Sequence, residues 1–556
     1  MAQMIAEAFL KVGVERVYGI IGTSILDLVD VMYDYKDRID FVTTRHEQVA
    51  VSAADAEFRV KGKLAAAAVH AGPGFLNTAI SLGIALRDRV PLIMVTGGVR
   101  RRLKGTEAWL EVDQGSIARA LAKYYGRVDV PSDITSVLEE ALKSALTPPF
   151  GPAVVEVPED LWGSEAGDLS ALEDLPRGPA SLEGLGSEAR TLASMLLEAR
   201  KPVILACGEL TLHPGFKQED LLALAEVSGA YIVTSGNGRG ACPEDHPRCL
   251  GRIGFGGGSV AADKAFESSD FVLVLGGELD DITTYAYTML PQGEAIVVSV
   301  DPAVKKRPRL YEVYEAQPHK ALKEILDEFR KISGGTVRKD EWDREVAGYV
   351  NMWNSMLESA ASKESERANP NRFFKMLDSF MPRERIVSGG QGTHILYAYD
   401  YIRVYKPGSW LAATNLGAMG YALPAVIGAA KASPYSYIIT VIGDGDLMMT
   451  AQDLETIVRE RLDVKILLVN DDSYRVLYLR QVLQKRGRIY ETLLGNPDFR
   501  MLAESFGFKY VRVERKDDEK KGLEALASKG PILVELKVDR DDVPPLNLEY
   551  TLRMSM

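Results

Sequence analysis

The stretch from Tyr437 to Tyr474, YIITVIGDGDLMMTAQDLETIVRERLDVKILLVNDDSY, constrains this chain more than any other. It opens with Ile438–Ile442, an apolar, β-branched run of the length of a buried parallel strand. Gly443-Asp444-Gly445 follows as a tight turn carrying one acid, and Leu447 to Arg461 reads as a helix, with Leu454, Ile457, Val458 and Leu462 at helical spacing. A second apolar strand, Val464–Val469, ends in Asn470-Asp471-Asp472. The pattern is a βαβ unit with a carboxylate at the carboxyl end of each strand. In a parallel sheet both ends open on one edge, where ligands bind. Asp444 and Asp471 are therefore placed to share one hard, oxygen-seeking cation such as Mg²⁺, which bridges to a diphosphate. Alone, each fragment reads equally well as a turn or a strand-ending loop; the specificity lies in the pair.

The rest of the chain repeats this alternation. Its 556 residues exceed one compact core and suit about three domains. Short apolar strands are expected at Val14–Ile20, Asp40–Thr44, Leu64–Val69, Pro91–Thr96 and Ala153–Val157, then at Val203–Ala206, Tyr231–Thr234, Phe271–Leu275 and Ala295–Val300. The fold class is α/β: three doubly wound parallel-sheet domains at 1–163, 189–332 and 369–545, with a linker at 164–188 and a linker and helix at 333–368. A net charge of −12 argues against a nucleic-acid or anionic-membrane binder, and no apolar run reaches membrane-spanning length. The amino terminus lacks the basic start of a signal peptide. Cys207, Cys242 and Cys249 form no metal-like pair and suggest no disulfide framework, so a reducing cytoplasm is the simplest compartment.

Four further segments sit where strands give way to helices. Arg45-His46-Glu47-Gln48 starts an Ala-rich helix, where Glu47 is either functional or simply an acid stabilised by the helix dipole. Val69-His70-Ala71-Gly72-Pro73-Gly74-Phe75-Leu76-Asn77 is a small-residue turn, and His70 in it serves a ligand or the core. Gly389-Gly390-Gln391-Gly392-Thr393-His394 offers backbone N–H groups suited to phosphate oxygens. Asn415-Leu416-Gly417-Ala418-Met419-Gly420-Tyr421-Ala422-Leu423-Pro424 begins another helix, with Met419 as a core filler or a functional side chain.

Taken in order, RHEQ, AGPGFLN, GTH, GAMGYALPA and GDG to ND resemble the acetolactate synthase-like group of thiamine diphosphate (ThDP) enzymes, a similarity that extends to Gly251–Gly257, Ser299-Val300-Asp301-Pro302 and Gly495-Asn496-Pro497-Asp498-Phe499. The resemblance implies a pyrimidine-binding first domain, a middle domain and a diphosphate-binding third domain, with the cofactor between the first domain of one subunit and the third of another. A homodimer is then the smallest competent unit and a homotetramer is expected; whether a regulatory subunit exists is left open. By the same matching, Glu47 hydrogen-bonds the pyrimidine N1′ and promotes loss of the thiazolium C2 proton, Gly417 offers its carbonyl to the 4′-amine, and Met419 props the bent cofactor. Asp444, Asp471 and the Ser473 carbonyl complete the Mg²⁺ shell; His70, Gly392, Thr393, His394, Gly443, Gly445 and Asp446 line the cofactor. The substrate implied is a 2-oxo acid, decarboxylated and joined to a second carbonyl compound.

The chain departs from the pattern in several places. Asp471 replaces the usual Asn, which adds a negative charge near the diphosphate. Leu110, in Trp109-Leu110-Glu111, stands where a polar group is usual, and Arg480 stands where a Trp is usual; both are assigned to the substrate end, Arg480 either holding an anionic group or being a solvated charge. Glu111-Val112-Asp113-Gln114 is similar to oxalyl-CoA decarboxylases and 2-hydroxyacyl-CoA lyases, the alternative activity. Gly276-Gly277-Glu278-Leu279-Asp280-Asp281 resembles a flavin-contacting segment, but Glu278-Leu279 replaces Arg-Phe, so FAD is allowed rather than expected. A third reading, a non-catalytic ThDP-fold binding protein, is opposed by the presence of Glu47 and both metal carboxylates.

Overall fold

The structure is a computed structural model and describes residues 1–167, 169–308 and 311–545; residue 168, within the expected linker, lies outside the described residues. Three sheets organise the described residues, each of six strands and each entirely parallel. The first holds β1 (Arg16–Gly19), β2 (Asp40–Thr43), β3 (Ala66–Val69), β4 (Leu92–Gly98), β5 (Tyr124–Arg127) and β6 (Pro152–Pro158). The second holds β7 (Pro202–Ala206), β8 (Tyr231–Thr234), β9 (Cys249–Arg252), β10 (Phe271–Leu275), β11 (Glu294–Val298) and β12 (Glu312–Tyr314). The third holds β13 (Arg385–Gly389), β14 (Trp410–Leu411), β15 (Tyr437–Gly443), β16 (Val464–Asn470), β17 (Lys509–Val513) and β18 (Ile532–Lys537).

Central strands such as β4, β6, β10 and β16 are buried along their whole length, as parallel strands covered by helices on both faces must be. The first and third sheets share one strand order, β2-β1-β3-β4-β6-β5 and β14-β13-β15-β16-β18-β17. The middle sheet runs β9-β8-β7-β10-β11-β12, the 3-2-1-4-5-6 order of dinucleotide-binding folds. The α/β, triple parallel-sheet architecture expected from the alternation is the one observed.

The described residues form two compact units: one of residues 1–181 with 413–435 and 449–463, the other of residues 182–412 with 436–448 and 464–545. In the first, the helix Ala422–Ala432 packs on the helix Glu47–Lys61. A buried network holds them together: Arg59 donates to Asp55 at 2.6 Å and to Asp88 at 2.9 Å, and the Tyr421 hydroxyl donates to Asp55 at 2.6 Å. Each buried charge has its partner, the condition under which such groups are tolerated in a core.

Expectations of two kinds, three in all, are corrected. Gly443-Asp444-Gly445 is not a free turn: Gly443 ends β15 and Asp444–Leu447 form a short helix. Nor is Leu447 to Arg461 one helix. The backbone leaves the helical region at Thr450 (φ −137°), and after a 3₁₀ turn at Ala451–Asp453 the helix resumes at Leu454–Arg459. The break falls where the chain passes from one compact unit to the other, between Met448 and Met449. Secondly, Cys242 and Cys249 form a disulfide, their Cα atoms 6.2 Å apart, because the loop between β8 and β9 folds back on itself. The cysteine argument for a reducing compartment falls with it. Among the described residues no helix is long and apolar enough to cross a membrane.

Candidate active site

In the first unit the turn after β2 puts Glu47 at the first position of its helix, 9% exposed. His46 caps that helix, its Nδ1 accepting from the Gln48 N–H at 3.2 Å. The Asn77 amide donates to Glu47 Oε2 at 2.9 Å. Glu47 Oε1 faces Gly74, where a Cβ would come within 3.2 Å, so glycine is what lets the AGPG loop lie this close. Gln114 braces that loop: its Oε1 accepts from the Gly72 N–H at 2.9 Å and its amide donates to the Gly97 carbonyl at 3.0 Å. His70 sits just past β3 with Nδ1 2.8 Å from Ser24 Oγ, and burial lowers its pKa, which keeps the ring neutral. Leu110, with φ +72°, places its carbonyl against Gly72. Gly417 and Met419 belong to this unit too. Gly417 takes a left-handed φ of +66° with open space around it, Met419 is half-buried, and the nearby Gly420 carbonyl accepts from the Gln48 amide at 3.0 Å.

In the second unit β13, β15 and β16 are neighbours, so their carboxyl ends bring three loops to one edge. Gly392 precedes the helix Thr393–Tyr401, and Thr393 and His394 are each 5% exposed. The Gln391 N–H donates to Asp446 Oδ2 at 2.8 Å. The His394 ring stands against Gly443, and burial drives its pKa down to about 3, so it is neutral. Its Nε2, 3.8 Å from Asp446 Oδ2, has no hydrogen-bond partner. Burial, and then the nearby Asp471, push Asp444 up to about 6. Asp471 accepts from the Ser473 hydroxyl and pairs with the Arg475 guanidinium at 3.5 Å; burial raises its pKa while Arg475 opposes the rise. Gly445 packs against Tyr474, between the two strand ends.

This donor set fits a magnesium diphosphate. Two buried carboxyl groups that repel each other gain most from a shared cation, and an orphaned imidazole nitrogen gains most from an anionic oxygen. Among the described residues no three His, Cys, Asp or Glu side chains are grouped closely enough to hold a metal by themselves. Mg²⁺ commonly takes one or two carboxylates and completes its shell with phosphate oxygens and water. The pair Asp444 and Asp471 suits that mode.

Three residues at these edges carried no assigned role in the sequence reading. Asn496 donates to Asp444 Oδ2 at 2.6 Å and to Asp472 Oδ1 at 3.1 Å, tying the 495–497 loop to both strand ends. Asn77 orients Glu47, and Arg475 counters Asp471. The first two lay inside segments already singled out, and the i,i+4 spacing of Asp471 and Arg475 was a visible signal. Arg480, by contrast, is exposed on the helix Arg475–Gln484 and makes no hydrogen bond or ion pair among the described residues.

Models of thiamine pyrophosphate enzyme domains match three consecutive parts of the chain: the N-terminal TPP binding domain at residues 1–117, the central domain at 189–322 and the C-terminal TPP binding domain at 390–536. The chain is 31% identical over 527 residues to the acetolactate synthase of Mycobacterium bovis, covering 93% of this chain and 84% of that protein. It is 29% identical to a probable acetolactate synthase large subunit of Methanocaldococcus jannaschii, covering 98% of this chain and 93% of that one. Against the acetolactate synthase isozyme 2 large subunit of Escherichia coli the identity is 28%, covering 98% and 97%. Likeness of this degree over so much of both partners settles the family: the chain belongs to the thiamine pyrophosphate enzymes, in their acetolactate synthase-like group.

Proposed function

We propose that this protein, with ThDP and Mg²⁺ bound, decarboxylates a 2-oxo acid and transfers the resulting fragment to a carbonyl acceptor, in the manner of an acetolactate synthase. The observation that carries the reading is the meeting of two buried carboxyl groups, Asp444 and Asp471, at adjacent parallel strand ends beside a His394 Nε2 that lacks a partner. The names of the relatives support acetolactate as the product. When bound, ThDP supplies a nucleophilic carbon and a sink for the electron pair left by departing CO₂.

The chain's own residues then bind, orient and move protons. Asp444, Asp471 and the Ser473 carbonyl hold Mg²⁺, with Gly443, Gly445 and Asp446 shaping the loop around it. Gly392, Thr393 and His394 meet the diphosphate; a neutral His394 does so as a hydrogen-bond donor without adding charge. Glu47 takes and returns the proton at the pyrimidine N1′. Asn77 occupies its Oε2, which leaves Oε1 for that exchange. Gly417 and Met419 hold the pyrimidine in place, His70 and Gln114 keep the AGPG loop against Glu47, and Leu110 and Arg480 border the substrate. The acting species is a homodimer or homotetramer.

The test is to incubate purified protein with pyruvate, ThDP and Mg²⁺ and to assay CO₂ together with acetolactate or acetoin. Release of both, dependent on ThDP and on the metal, is expected. Inertness toward pyruvate alongside turnover of oxalyl-CoA or a 2-hydroxyacyl-CoA would overturn the reading in favour of the acyl-CoA activity.

A further inference from the structure

In the 3-2-1-4-5-6 order of the middle sheet, nucleotides bind at the carboxyl edge where the order reverses, here between β7 and β10. The turn after the first strand, Cys207-Gly208-Glu209, is the one whose N–H groups ordinarily face a pyrophosphate. In this chain the Gly208 N–H donates instead to Glu278 Oε2 at 2.7 Å. Glu278 comes from the turn after β10, so its side chain crosses the reversal point itself. The same carboxyl group accepts from the Asn237 amide at 3.0 Å and from the Ser235 hydroxyl, both in the turn after β8. Glu209 crosses the other way, accepting from the Val300 N–H at 2.9 Å and from the Ser299 hydroxyl, past the end of β11. Two side chains thereby engage donors from three strand ends.

Several further donors at this edge are engaged as well. In the glycine loop after β9, the Gly254 N–H donates to Asp263 Oδ1 at 3.0 Å and the Phe255 N–H to the Ile282 carbonyl at 2.8 Å. Arg307 donates through one guanidinium nitrogen to the Gly277 carbonyl at 3.0 Å. Burial pushes Glu209 up to about 7 and raises Glu278 above the usual carboxyl range, as it does where negative charge is poorly solvated. A diphosphate entering here would bring two more negative charges and would have to displace both glutamates from their donors.

We infer that the middle domain takes no dinucleotide: its crevice is filled by the chain's own Glu209 and Glu278, and the protein works without FAD. The segment that resembles a flavin-contacting stretch, Gly276–Asp281, is the one that supplies the blocking Glu278. This inference stands apart from the ThDP reading and has its own test. The full-length protein as purified is denatured and its supernatant examined for flavin absorbance; a second sample is titrated with FAD by flavin fluorescence, and a third with ThDP and Mg²⁺. No released flavin and no saturable FAD binding up to about 100 μM are expected. Flavin released in stoichiometric amount, or saturable binding below about 100 μM, would overturn the inference. The ThDP titration reports on the cofactor reading separately, since either result there leaves the FAD outcome interpretable.

Discussion

The third sheet and the middle sheet present the same device, six parallel strands with acids at their carboxyl ends, and use it in opposite ways. At the middle edge, Glu209 and Glu278 accept from the N–H, amide and hydroxyl donors of the surrounding turns. At the third edge, burial and the neighbouring Asp471 raise Asp444's cost of ionisation while the His394 Nε2 nearby has no partner. Strand order says where a ligand belongs in such a sheet. Whether the site receives one depends on what its own side chains leave unbalanced. Glu209 and Glu278 span the reversal point and close the crevice; Asp444 and Asp471, though they accept from Asn496 and Ser473, remain a buried acidic pair suited to a cation and the anion that follows it.

Changes that touch the third edge and its chemistry should dominate, and changes at the middle edge should leave cofactor binding alone. The largest effect is expected at Glu47: Glu47→Gln should retain ThDP but slow exchange of the C2 proton by about 10²- to 10⁴-fold, followed by NMR. Unchanged exchange would remove Glu47 from proton transfer. Next, Asp444→Ala should weaken Mg²⁺-dependent ThDP binding by about 100-fold or more, measured by calorimetry, because the ion's tie to the diphosphate goes with it. Normal affinity in that variant would erase the contrast between the two edges.

A smaller effect concerns how the third edge carries an acid where the family has Asn. Arg475 is 3.5 Å from Asp471, donates to the Tyr397 hydroxyl at 3.0 Å, and is buried. Arg475→Ala should cost about 3 kcal/mol in chemical denaturation, by leaving Asp471 buried without its counter-charge. Adding Asp471→Asn to that variant should restore most of the loss; no restoration would mean that the pair is uncoupled. Asp471→Asn alone should leave ThDP binding intact while leaving Arg475 short of its partner.

The smallest effect lies at the middle edge. Burial lifts Glu209 from its ordinary 4.5 to about 7, so the native state binds a proton more tightly than the unfolded chain does. The stability this provides is full below pH 4.5 and is lost as pH rises through 7. Glu209→Gln should flatten that part of the stability–pH curve, with ThDP affinity unchanged. A curve as steep as that of the parent protein would place the proton elsewhere.

Much of this was legible in the residues. The apolar runs of β15 and β16 and the acids that end them identified the third sheet's edge, because central parallel strands are buried on both faces and need no alternation. The edge strands β5, β9, β12, β14 and β17 went unseen, and so did the buried β18: Tyr124–Arg127 and Glu312–Tyr314 are short and partly polar because one side lacks a neighbouring strand, whereas Ile532–Lys537 carries Glu535 and Lys537 inside its apolar run. Helical spacing across Leu447 to Arg461 was blind to the backbone break at Thr450, which belongs to the chain's passage between two compact units. The Cys242–Cys249 disulfide followed from how a loop closes, which spacing alone does not encode. The Asn77 bond to Glu47 and the Asn496 bond to Asp444 join residues 30 and 52 positions apart, so the segments were visible but their pairing was not. Glu278 was visible as a departure from the flavin-binding pattern, yet its grip on Gly208 needed the strand order.

The most direct test of the contrast between the two edges is native mass spectrometry of the full-length protein mixed with ThDP, Mg²⁺ and FAD at equal concentrations. The expected spectrum carries ThDP and Mg²⁺ on the protein and no FAD. A spectrum with FAD retained and ThDP absent would contradict the account at both edges at once.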